Sequence, residues 1–172
     1  MAGLTVQNIG LTMPHGQAGS YARQPDMIIN TRPAGENIVF GMPLVYNDNG
    51  EVVTMGAGAS ADDFVGVASR EIKSSLSYLE QTVGTYFTGE PTSVFQRGSI
   101  NVKCQKGAPK LGGDVYVRIV ANESYPTAIV GGFEAEADST AANTVKLTNC
   151  QWAGDADANG IAELRILVMN KA

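Results

Sequence analysis

Apolar residues in this chain recur mostly in short runs and at alternate positions, and a period of two predicts strands. The clearest case is residues 91–119. Val94, Ile100, Val102, Val115, Val117 and Ile119 give its segments β-branched sides, and Gly98, Gly107, Gly112 and Gly113 divide them, so the stretch reads as strand, break, strand, break, strand. Residues 36–55 predict a hairpin. Pro43 has no N–H to donate and marks an edge or a strand start, and Asn47, Asp48, Asn49 and Gly50 supply the turn. Residues 64–68 predict a short strand in which Gly66 permits a bulge or a close neighbour. Further on, the pattern predicts a turn at 122–126, a short strand at 128–130 and a surface loop over 133–143, whose carboxylates would be solvated. A strand with a one-residue phase slip over 144–152 suggests a bulge, and a closing strand over 161–169 is apolar on both sides.

Two stretches depart from this pattern. Residues 1–35 hold no sustained period, and Met13, Tyr21, Met27, Ile28 and Ile29 make them an extended arm suited to lying on a neighbour. In residues 68–83, Ile72, Leu76, Leu79 and Val83 share one helical face, while Ser74, Ser75 and Ser77 weaken helix propensity. A short helix and an extended connection carrying Tyr78 and Tyr86 to a neighbouring subunit both stay open. The expected fold is therefore all-β: a small β-sandwich or jelly-roll-like body over residues 36–172, an N-terminal arm over 1–35, and at most one short helix.

Composition narrows the function. With 172 residues the chain can bury a core, and 17% charged residues with 20 glycines fit strands joined by many turns. A net charge of -5 excludes holding nucleic acid by its own electrostatics. No apolar run is long enough to span a bilayer, and no secretory signal is evident. Cys104 and Cys150 each sit in a strand-like segment and are expected as buried thiols rather than a bridge.

Candidate chemistry is sparse. His15 is the single histidine and lies in the arm, away from any recognisable nucleophile. Asp155, Asp157 and Asn159 followed by Gly160 match the first half of a calcium loop, but the twelfth position is Ile166 where a bidentate Glu is required, so a tight strand connection is the better reading. Arg97, Lys103, Lys106, Lys110 and Arg118 form either a modest basic patch or a counterweight to acidic surface. Trp152 is the expected core anchor. No metal, cofactor or catalytic set is expected.

The order of several segments carries a resemblance. The run FGMPLVY after Asn37 and Ile38, FVGVASREIKS at 64–74, SVFQRGSINV after Gly89, Glu90 and Pro91, GGDVYVRI, and IAELRILV after a small acidic turn are similar to the capsid decoration, or structural cement, proteins of tailed bacteriophages. The most specific pieces are residues 66–73 and Arg97 to Val102. The resemblance implies a non-enzymatic virion protein, made in the host cytoplasm, that binds the outer surface of the head over junctions of the major capsid protein. It also implies self-association as a dimer or trimer. Met13, Tyr21, Met27, Ile28, Ile29, Tyr78 and Tyr86 are the candidate contacts. A tail or fibre sandwich domain is a second reading. A small carbohydrate-binding module using Tyr21, Tyr46, Tyr78, Tyr86, Tyr116 and Tyr125 is a third.

Overall fold

The computed structural model describes residues 14–71 and 84–170. Within them there is no α-helix. Twelve strands are joined by turns and by two single 3-10 turns at Ala61–Asp63 and Ala141–Asn143. The body is sandwich-like with mixed sheet topology. The helical reading of 68–83 falls largely on residues 72–83, outside the described residues.

One strand, β7 (Pro91–Lys106), is the spine. Its first half pairs antiparallel with β1 (Tyr21–Pro33) and β5 (Gly66–Ala68), its second half with β12 (Ile161–Ile166), and its end runs parallel to β9 (Phe133–Glu134). Beyond β5 lie β3 (Pro43–Tyr46) and β4 (Val52–Thr54), the predicted hairpin, with Pro43 opening the first of the two strands. Beyond β9 lie β8 (Val115–Arg118) and β10 (Thr144–Leu147), while β11 (Cys150–Trp152) pairs β12. A separate ribbon joins β2 (Ile38–Val39) to β6 (Thr85–Tyr86).

Gly98 does not break a strand, contrary to its sequence reading. It bends β7 with φ 109°, and a Cβ there would strike the Asp26 carbonyl of β1. Only glycine admits that backbone angle and that approach together. The phase slip at 148–149 is a turn between β10 and β11, which join different neighbours, and residues 128–130 form a turn instead of a strand.

The N-terminal stretch is extended, as expected, but from Tyr21 to Pro33 it lies along β7 of its own chain. Just past it, Ala34 bridges Val52 and the Gly35 N–H donates to the Val52 carbonyl at 2.8 Å. The strands β1, β7, β5, β3 and β4 thus curl until the last meets the continuation of the first. A body beginning at residue 36 would lack its edge strand.

Two apolar clusters fill the interior. The larger gathers Trp152, Phe95, Phe133, Phe64, Ile100 and Leu164, among others, and the smaller packs Ile38, Phe40, Leu44, Val52 and Tyr86. Trp152 is fully buried, as its size and position predict. Both cysteines are free thiols, Cys150 buried and Cys104 partly so.

Candidate interaction surface

The expected surface loop over 133–143 is the largest correction. Phe133, Glu134 and Asp138 are buried, and so is Arg118, which therefore belongs to no basic patch. Arg118 Nε and Nη2 donate to the two oxygens of Glu134 at 2.6 and 3.1 Å, while Nη1 donates to Asp138 Oδ2 at 2.8 Å. Asn122 and Asn143 side-chain amides donate to the same Asp138 carboxylate at 2.9 and 2.8 Å, and the Ser139 N–H adds a bond of 2.7 Å. The Asn143, Arg118 and Asn122 donors hold the Asp138 carboxyl well below the usual carboxylate range. Buried charges persist only when paired and hydrogen-bonded, and here every partner is supplied. The cluster staples the connections on both sides of β9 to the end of β8. Each carboxylate of the cluster accepts from more than one donor of the fold, which ties these segments together.

In the calcium-like segment the Asp157 carboxylate is likewise occupied from within the chain. Asp157 Oδ1 accepts the Asn159 and Ile161 N–H groups at 2.9 and 3.0 Å, and Gly160 N–H donates to the Asp157 carbonyl at 2.9 Å. The other Asp157 oxygen accepts the His15 N–H at 3.0 Å, and His15 Nε2 sits 3.1 Å from the Asp155 carbonyl oxygen. This is a strand connection in which Asp157 organises the turn and docks the entering chain. No group of three or more metal-ligating side chains occurs among the described residues.

Thiol chemistry finds no support either, since burial pushes both the Cys104 and Cys150 thiols up. Glu163 is buried within β12. Burial pushes its pKa up, but Arg23 Nε, donating at 2.7 Å, together with a hydrogen bond from Ser99 and the Arg23 charge, outweighs that and leaves the carboxyl below its ordinary value.

Of the expected contact residues, Tyr21, Met27 and Ile29 pack against the larger core, and Tyr21 stacks on Phe95 with centroids 5.9 Å apart. Tyr86 is buried and donates to the Ser69 carbonyl at 2.7 Å, and desolvation lifts its hydroxyl pKa to about 12. That burial overturns the expectation that Tyr86 is presented to a neighbour. Ile28 is 36% exposed on β1, and Met13 and Tyr78 lie outside the described residues. Of the tyrosines considered for stacking on sugars, Tyr21 and Tyr86 serve the core and the Tyr125 hydroxyl donates to the Gln105 carbonyl.

What the structure does assemble is an apolar groove that the sequence did not reveal. Val39 and Met42 line it from one part of the chain and Ile129 from another, with Lys103 and Gln105 of β7 at its polar margin. Its volume is about 210 Å³, room for one or two apolar side chains. Val39 and Ile129 stand 54% and 58% exposed beside it, with Val130 adjacent in sequence to Ile129. Gln105 fixes the far wall, because its side chain donates to the Ile129 carbonyl and accepts the Ile129 N–H, both at 3.0 Å. The same Gln105 amide donates to Glu134 at 3.0 Å, so the buried ion cluster braces the wall that carries Ile129.

Comparison with known proteins bears on the family and the fold. The family model described as XM1 gp53 minor capsid protein matches residues 6–166. A solved chain from a structure titled "The capsid of Myoviridae Phage XM1" has the same fold. Its TM-score is 0.70 at 14% identity, over 96% of this chain and 99% of that one. No curated protein matches.

Proposed function

The chain belongs to the XM1 gp53 minor capsid protein family, and from that premise we propose that it is a decoration protein, attached to the outer surface of the phage head over junctions between major capsid subunits. The observation that carries the reading is the braced apolar groove at Val39 and Ile129. It is a partly exposed, hydrophobic concavity braced by Gln105, with Lys103 at its rim. Such a concavity suits a projecting apolar side chain of a partner, with a polar rim to fix orientation.

The mechanism is linkage. A protein that binds the expanded shell and not its separated subunits stabilises the shell by the binding free energy at each site. A junction contact of about 1,000 Å² suffices for specific attachment, and repetition over the symmetric lattice multiplies it. Residues 1–13, with Leu4, Val6, Ile9, Leu11 and Met13, extend the contact in this reading.

The test is cosedimentation of the purified protein with expanded, undecorated heads and, separately, with dissociated capsid subunits. Stoichiometric attachment to heads alone is expected. Val39→Asp with Ile129→Asp should abolish it while the far-ultraviolet spectrum stays that of a folded β protein. Removal of residues 1–13 should weaken it. Attachment undiminished in the double variant would remove the groove from this reading.

A further inference from the structure

The sheet has several edges, and most are closed from within the chain. The outer side of β4 is covered by residues 34–36, where Gly35 N–H donates to Val52 and the Thr54 N–H donates to Glu36 Oε1 at 2.7 Å. The outer side of β11 is covered by the turn at 110–113, with Gly112 N–H donating to Trp152 and Trp152 N–H donating to Gly113. β10 is only four residues long. β1 is different: it has 13 residues and pairs on one side with β7, and no described residue pairs with its other side.

Which groups face that open side follows from the ladder. Thr31 lies opposite Ser93, and the Ser93 carbonyl is used on the far side, accepting the Ser69 N–H at 2.9 Å. Phe95, opposite Ile29, pairs on its far side with Val67. In an antiparallel ladder, residues whose partners turn away from them also turn away, so Ile29 and Thr31 direct their N–H and C=O groups outward. The Arg32 guanidinium reaching round to the Thr31 carbonyl at 3.0 Å agrees with this. The register with β7 slips between Arg23 and Ile28 and again between Ile28 and Ile29, but from Ile29, opposite Phe95, to Pro33, opposite Pro91, it is unbroken. Proteins normally cover, shorten or bend a long edge, and an uncovered straight one is a template for another strand.

We infer that this edge pairs with the same edge of a second copy, in antiparallel register about a two-fold axis at Asn30, joining two bodies through one continuous sheet. The register is set by the outward groups. Ile29 of one copy faces Thr31 of the other, and the two exchange both backbone bonds. Asn30 then faces Asn30 in a non-hydrogen-bonded pair, the closer of the two kinds. The segment suits itself: Ile28 meets the aliphatic stem of Arg32, Ile29 meets a β-branched Thr, and no like charges stand opposite one another. This pairing gives a definite form to the self-association that the sequence resemblance implies, and does not need the shell to be present.

The experiment uses the full chain, without heads. Light scattering should find a dimer. In Asn30→Cys the two Cα atoms would lie about 4.5 Å apart, within disulfide reach, so mild oxidation should yield a covalent dimer in high yield. Thr31→Pro removes one outward N–H while leaving the bonds to β7 intact, so it should fold normally and raise the dimer dissociation constant by about tenfold or more. A wild-type monomer at every soluble concentration, a failure of Asn30→Cys to cross-link, or a dimer indifferent to Thr31→Pro would each overturn the pairing. A monomer whose Thr31→Pro form loses head attachment would assign the edge to a shell strand and overturn it equally. Monomers that still decorate heads would sink this inference alone, whereas dimers that do not decorate would sink the shell reading alone.

Discussion

The hairpin region of the molecule, residues 34–68, and the stapled region, residues 118–143, fill their interiors by opposite means. In the first, apolar β-branched and aromatic side chains alternate along short strands and the smaller core is almost wholly hydrocarbon. In the second, Arg118, Glu134 and Asp138 are sealed inside and satisfied by one another and by two asparagines. The first arrangement tolerates small errors in geometry, because hydrophobic attraction is non-directional. The second does not, since a buried charge that loses one partner keeps its desolvation cost. That asymmetry suits the wall carrying Ile129, which must hold its shape for a partner to recognise it.

The contrast can be broken at several points. The largest effect is expected from deleting residues 1–35: this strips β1 from the side of the spine strand β7, and with it Tyr21, Met27 and Ile29 from the larger core, and the product should be unfolded by circular dichroism, whereas deletion of residues 1–13 should leave the transition in place. Next come two substitutions of comparable size and different cause. Arg118→Met should cost about 3–5 kcal/mol in urea unfolding, because Glu134 is left buried without its counter-ion. Trp152→Ala should cost about 3–5 kcal/mol through the cavity it leaves. Only the first should also disorder the Ile129 wall, which reduces head attachment in the fraction that remains folded. Smaller again is Gly50→Ala in the hairpin turn, where φ is 76° and nothing crowds the site. About 1 kcal/mol is expected, with attachment unchanged.

Acid sharpens the same comparison. The Asp138 carboxyl is held below its ordinary range in the folded chain, so on acidification the unfolded chain takes up that proton first. The stabilisation from this group is complete above the ordinary aspartate range, near pH 4, and drains away as pH falls below it. The wild-type melting temperature should therefore fall on acidification more steeply than that of Asp138→Asn, whose amide does not titrate. Parallel curves would mean that the staple contributes little.

These two regions also differ in how far the sequence exposed them. The hairpin was readable because its signals are local: Pro43 at a strand start, an Asn-Gly turn, and alternating apolar positions on either side. Arg118, Glu134 and Asp138 were not, because a charged residue reads as surface until its partners are known, and those lie 16 and 20 residues away. Gly98 was misread for a related reason: what makes it a bend inside one strand is the Asp26 carbonyl of another. Extension of the N-terminal stretch was legible, but its pairing with β7 was hidden by the irregular register around residues 24–27. The groove was beyond reach, since Val39 and Ile129 meet only through the fold.

The most direct test of the central claim, that this protein works by clamping a shell, is the temperature at which filled heads release their DNA, measured with and without saturating protein. A release midpoint that rises with free protein concentration, as linkage requires, is the predicted result. Heads that bind the protein in full and release DNA at an unchanged temperature would contradict it.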